Sequence, residues 1–188
     1  MIELSPEQVL PLTTADGRPI DQVTIGVGWD KDPTAGAIAS GRPDIDLDAS
    51  AFQFAGDQLF DLAFFNNLAT RDGSVSHLGD NKTGRGDGDD ESLTIDFSKV
   101  YDRVDSIFLV VTSYQGHSLT WVNRAYCRLL DEAGSPIARF VITAGPPETG
   151  LVMAKLVRGD DHWLLHTVGE GIAAKVASEA VPALRPYL

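Results

Sequence analysis

Five carboxylates fall in the stretch from Gly79 to Glu91, which reads Gly-Asp-Asn-Lys-Thr-Gly-Arg-Gly-Asp-Gly-Asp-Asp-Glu. Carboxylates crowded into one turn repel each other unless water or a cation sits between them. The four glycines let the backbone curl so that several oxygens can point at one place. A flexible loop rich in hard oxygen donors is what Ca²⁺ requires. A second acidic run lies upstream, at Asp44, Asp46 and Asp48. Alternation along a strand puts those three on one face, with Ile45 and Leu47 on the other. Strands disfavour Asp, and like charges two residues apart repel. A bound cation offsets that repulsion economically. Strand ends and a hairpin simply solvated by water are the alternative.

The stretch from Asp80 to Glu91 has the length of an EF-hand loop but not its pattern. Lys82 and Gly84 stand where oxygen ligands are needed, and Arg85 stands where the sharp turn needs glycine. Mg²⁺ suits the set less well, because it prefers one or two carboxylates with waters or phosphates.

Other motifs carry less. Gly169-Glu170-Gly171-Ile172-Ala173-Ala174 fits a loose G-x-G-x-x-A, yet only a helix-length of chain follows and Glu170 would repel a pyrophosphate. A turn onto a C-terminal helix accounts for it. His162 and His166 share a face without a third ligand nearby, and read as half-buried or surface histidines rather than a zinc pair. His77 and His117 are isolated in sequence. Cys127 sits in an apolar strand pattern and reads as a core thiol. Paired carboxylates can run glycoside hydrolysis, but no aromatic platform stands beside these.

The elements that must position the acidic runs are mostly strands. One first strand is expected within residues 3–12, and further strands over Val23–Trp29, Asp44–Phe54, Ala63–Phe65, Val75–His77, Ser92–Phe97, Ser106–Ser113, Ala125–Asp131, Ile137–Ile142, Leu151–Val157 and His162–Val168. Asp16-Gly17, Gly56-Asp57, Asp72-Gly73 and Gly159-Asp160 mark turns between them. Ser106–Ser113 is the most apolar and belongs mid-sheet. Ile172–Val181 is the one convincing helix, with Pro182 at its end. Many short strands at regular spacing imply an all-β fold, a two-sheet β-sandwich with a short C-terminal helix, in one domain over residues 1–188.

Composition excludes some partners. The formal charge is −12 and the isoelectric point is about 4.5. Nucleic acid needs Lys and Arg patches, so it is not an expected partner, whereas cations and basic proteins are. One cysteine cannot form an internal disulfide or a multi-cysteine zinc site. No run is long and apolar enough to span a bilayer, and no secretory leader is evident, so the expected setting is the cytoplasm with no direct membrane insertion.

Taken together, the motifs Thr24-Ile25-Gly26-Val27-Gly28-Trp29-Asp30, Asp44-Ile45-Asp46-Leu47-Asp48-Ala49-Ser50, Phe64-Phe65-Asn66-Asn67-Leu68, Asp72-Gly73-Ser74-Val75, His77-Leu78-Gly79-Asp80-Asn81-Lys82-Thr83-Gly84 and Gly86-Asp87-Gly88-Asp89-Asp90-Glu91 resemble the TerD family of tellurium-resistance and stress proteins. The resemblance implies a β-sandwich that binds Ca²⁺ with acidic loops at one end, with no established enzymatic activity, so the protein is not expected to be an enzyme. The ligands it implies are Asp44, Asp46, Asn66, Asp80, Asn81, Asp89, Asp90 and Glu91, with Asp30 and Asp48 as further candidates. The partners it implies are unknown proteins, including other tellurium-resistance proteins. The expected function is a Ca²⁺-dependent interaction module. A metal-assisted hydrolase using the same carboxylates, or an acidic scaffold without specific metal, are the alternatives.

Overall fold

The structure, a computed structural model, describes residues 1–31, 46–79, 89–144 and 147–188. Among the described residues, twelve strands form two six-stranded sheets. They are β1 (Ile2–Leu4), β2 (Val9–Pro11), β3 (Gln22–Lys31), β4 (Leu47–Ala55), β5 (Gln58–Ala63), β6 (Val75–His77), β7 (Glu91–Asp96), β8 (Ser106–Ser113), β9 (Val122–Leu130), β10 (Pro136–Ala144), β11 (Gly150–Arg158) and β12 (Trp163–Ile172). The first sheet runs β1-β10-β9-β3-β7-β6 and the second β2-β12-β11-β8-β4-β5. Every pairing is antiparallel except β1 with β10.

The inward faces follow the alternation of the sequence. Val23, Ile25, Val27 and Trp29 of β3 and Leu93 and Ile95 of β7 meet Leu47, Ala49 and Ala51 of β4 and Ile107, Leu109 and Val111 of β8. The other face of the second sheet is apolar too. Phe52, Phe54, Phe108 and Val110 pack under helix α1 (Ala177–Leu184), which buries Ala177, Ala180 and Leu184 on them. This third layer explains why β4 and β8 are buried along almost their whole length. β8, between β11 and β4, is central as its composition predicts.

Five expectations are corrected. Residues 3–12 are not one strand: β1 and β2 join different sheets. The chain crosses between them at Ser5–Gln8, where Pro6 has no N–H to pair and Glu7 takes φ 62°. Thr167 captures the crossing, its carbonyl accepting from Glu7 N–H at 3.0 Å and its hydroxyl from Gln8 N–H at 2.9 Å. The strand expected at Ala63–Phe65 lies earlier, at Gln58–Ala63, as the return arm of a tight hairpin. Gly169-Glu170-Gly171 lies within β12, not in a turn that opens a helix. The helix therefore begins at Ala177, not Ile172, which still pairs with Gly150. Pro182 sits inside the helix rather than ending it. An eight-residue helix draws its stability from the face it buries more than from its own ladder.

The Asp72-Gly73 hairpin is held as its sequence suggests. Asp72 accepts from the Thr70 hydroxyl at 2.7 Å, the Ser74 amide at 3.0 Å and the Tyr101 amide at 3.1 Å. Burial works against ionisation of Asp72, but these bonds outweigh it and hold its carboxyl below the ordinary value.

Candidate metal centre

One end of the sandwich collects the carboxylates. Pairing of Val27 with Glu91 and of His77 with Leu93 puts the end of β3, the end of β6 and the start of β7 together in the first sheet. Pairing of Leu47 with Ser113 puts the start of β4 beside the end of β8 in the second. A single side chain ties the two sheets together there. Glu91 alternates inward, and its Oε2 accepts the backbone N–H of Ala49. That bond joins the Asp46–Asp48 run to the Asp89–Glu91 run, 42 residues away in sequence. The strand β5 has ended by this point, its last pair being Ala63 with Ala51, so Glu91 takes a place on β4 that no described strand fills.

His77, isolated in sequence, stands against Glu91, with Nε2 3.5 Å from Oε2 and both side chains fully buried. The other ring nitrogen, Nδ1, accepts from Gly79 N–H at 3.2 Å. A neutral ring accepting at Nδ1 carries its proton on Nε2, the atom that faces the carboxylate.

The three consecutive acids of this run diverge. Glu91 points between the sheets. Asp90 is 9% exposed; its backbone N–H donates to Val27 C=O at 2.8 Å and its Oδ2 accepts from Trp29 N–H at 3.1 Å. Asp89 lies on the outer face of the first sheet, where Arg128 Nε donates to it at 2.7 Å and the Tyr126 hydroxyl at 3.2 Å. In the other run, Asp46 is half-buried just before β4, and Asp48, within it, is 5% exposed. Asn66 is exposed in the turn that follows β5. Asp44, Asp80 and Asn81 lie outside the described residues, as does the Asp30 side chain. Among the described residues, no three His, Cys, Asp or Glu side chains form a metal cluster on their own.

The donor chemistry at this end is oxygen. Asp46, Asp48, Asp90 and Glu91 supply carboxylates, and His77 already spends Nδ1 on Gly79. Cys127 is buried in the core, and burial, with Asp89 nearby, pushes its thiol up to about 12. Such a set fits a hard cation such as Ca²⁺ and not zinc or copper. The thiolate is the reactive form, so Cys127 is expected to resist a thiol reagent at pH 8 in the folded protein and to react fully in denaturant. Fast labelling of the folded chain would contradict its placement.

The remaining candidates separate from this end. His162 and His166 are half-buried, and His166 pairs across strands with Lys155. Burial and Lys155 push the His166 ring below its ordinary value. A cleft of about 650 Å³, lined by Thr14, Arg18, Asp21, Asp131 and Glu132, opens at the opposite end of the sandwich. No described helix is long and apolar enough to cross a membrane.

Sequence reasoning missed the outer-face contacts of Asp89, and the missed signal was Gly26 and Gly28 inside β3. Glycine within a strand marks a close approach. A Cβ at Gly26 would fall 1.9 Å from Asp89 Oδ2, and one at Gly28 would fall 2.4 Å from the Tyr126 ring.

Comparison with known proteins agrees with this architecture. The family model described as the TerD domain matches residues 1–180. The chain is 41% identical over 168 residues to tellurium resistance protein TerD of Serratia marcescens, covering 83% of each. It is 32% identical over 186 residues to stress response protein SCP2 of Bacillus subtilis, covering 90% of this chain and 92% of that one. The fold matches the crystal structure of SAV2460, a protein of unknown function, with a TM-score of 0.71 at 24% identity, over 86% of this chain and 95% of that one. It also matches a TerD homologue from Streptomyces coelicolor A3(2), with a TM-score of 0.68 at 17% identity and the same coverage.

Proposed function

The chain belongs to the TerD family of tellurium-resistance and stress-response proteins, and from that premise we propose that it is a Ca²⁺-dependent binding module. The observation that carries the reading is the Glu91–Ala49 bond, which brings two acidic runs to one end of the sandwich. Asp46, Asp48, Asp90 and Glu91 would hold the ion from the described residues. Asp44, Asp80 and Asn81 are assigned to it on their sequence alone. Burying several like charges is costly, and a divalent cation offsets both the burial and the repulsion.

With the ion in place, the residues bordering both runs are held in one arrangement, and that ordered end is what a partner reads. The partner is a protein with a basic surface, given the charge of −12. Tellurite is an anion, so direct capture by so acidic a chain is a poor physical fit. The single buried thiol suits a cytoplasmic setting.

Binding to the folded state alone stabilises it by about 2.7 kcal/mol at a hundredfold excess over Kd. For a chain of this length that corresponds to a rise in melting temperature of about 5–10 °C. Melting curves with millimolar Ca²⁺ and with chelator check this. Superimposable curves would sink the reading.

A further inference from the structure

We propose that Arg128, backed by Tyr126 and Arg139, is a positioning residue of the cation site, holding Asp89 out of the ligand set and so fixing the approach of Asp90 and Glu91. The inference rests on the Ca²⁺ reading and adds to it a division of labour among adjacent carboxylates. Asp89, Asp90 and Glu91 are consecutive, and three like charges in a row would otherwise compete for one ion and repel one another. Here they go three ways, and Arg128 takes up Asp89.

The outer face of the first sheet is shaped for this. Gly26 leaves bare backbone, and the Asp89 carboxylate occupies the space where a Cβ would be. Arg128 Nε bonds Asp89 Oδ1 at 2.7 Å, with the Asp89 side chain 9% exposed. The Tyr126 hydroxyl donates to the same oxygen at 3.2 Å. Gly28 leaves room for the Tyr126 ring, and the Arg139 guanidinium stacks 4.4 Å from that ring's centre. Burial, followed by the charge of Asp89, pushes the Tyr126 phenol up to about 12, so the hydroxyl remains a donor throughout the physiological range. Charge-assisted bonds of this kind are short and directional.

The consequence follows from chain geometry. Asp89 pinned on the outer face sets where the backbone enters β7. Asp90 then meets Trp29 N–H, and Glu91, next along the strand, alternates inward to Ala49 and His77. Without the pin, Asp89 is released towards its neighbours and the entry to β7 must be ordered by the ion itself.

Ca²⁺ affinity of the full chain, measured by calorimetry, tests this for Arg128→Met, Asp89→Asn and the double variant, with Arg128→Lys as the variant that keeps a charge at the site. Loss of groups that orient metal ligands weakens binding about 10–100-fold. Arg128→Met and Asp89→Asn are each expected to weaken Ca²⁺ by about tenfold, and the double variant by no more than either. Arg128→Lys should fall between wild type and Arg128→Met. A lower melting temperature of the Ca²⁺-free variants with unchanged affinity would make the contact merely structural and overturn the inference. So would a loss in Asp89→Asn far larger than in Arg128→Met and additive with it, which would make Asp89 a ligand. If the wild-type chain takes up no Ca²⁺, the functional reading falls and this inference falls with it. Uptake by wild type with unaffected Arg128→Met overturns this inference alone.

Discussion

Glu91→Ala is expected to destabilise the Ca²⁺-free protein by about 3 kcal/mol, from a buried donor left without its acceptor and the cavity left behind. Glu91 is fully buried between the sheets, bonded to Ala49 N–H and set against His77. The amide of Ala49 lies past the last β5 pair, so no described strand replaces the lost acceptor. Glu91→Gln separates the two roles of the side chain. Its amide oxygen still accepts from Ala49, so most of the stability should survive, while the loss of charge should blunt the response to Ca²⁺. Urea unfolding of both variants, with and without Ca²⁺, checks the pair. A Glu91→Ala protein as stable as wild type would mean that the link between the two acidic runs does not hold the end together.

Gly26→Ala should cost a similar amount, about 3 kcal/mol, for a different reason. The backbone at Gly26 is ordinary strand, so alanine meets no conformational penalty there. The new Cβ would instead fall 1.9 Å from Asp89 Oδ2 and 2.1 Å from its Cγ. Asp89 cannot swing aside cheaply, because Arg128 and Tyr126 hold it. Overpacking of this kind costs about 1–3 kcal/mol, and eviction of Asp89 also breaks a charge-assisted bond worth about 1.5–3 kcal/mol. Gly56→Ala is the control. Gly56 takes φ +60° with nothing within 4 Å of the would-be Cβ, so only the left-handed backbone is penalised, by about 1–2 kcal/mol. Thermal or urea unfolding should rank Gly26→Ala as the more damaging. The reverse order would show that Asp89 is not held where it lies.

Local pattern made most of this fold legible. Alternation located β4, β7 and β9, interleaved β-branched residues β3, an unbroken apolar run β8, and the turns they flank β10, β11 and β12. Ser106–Ser113 and Val75–His77 coincide with β8 and β6 to the residue. What failed depended on distant contacts. The break between β1 and β2 is fixed by Thr167, far along the chain. The start of α1 is set by how long Ile172 stays paired with Gly150, which the alanine-rich composition of 172–181 does not reveal.

The candidate site was legible as chemistry but not as geometry. The acidic residues were identifiable from their types, and the family motifs gave them an order. Which way each carboxylate faces depends on three sheet neighbours: Trp29 for Asp90, Ala49 for Glu91 and Arg128 for Asp89. None of these is near its partner in sequence. His77 likewise reads as a lone histidine until the pairing of β6 with β7 sets it beside Glu91.

Calorimetric titration of chelator-treated protein with Ca²⁺, repeated on Asp46→Ala and Asp80→Ala, bears most directly on the central claim. The account predicts saturable uptake by the wild-type chain that both substitutions weaken severely. No uptake at millimolar Ca²⁺, or uptake that neither substitution changes, would contradict it.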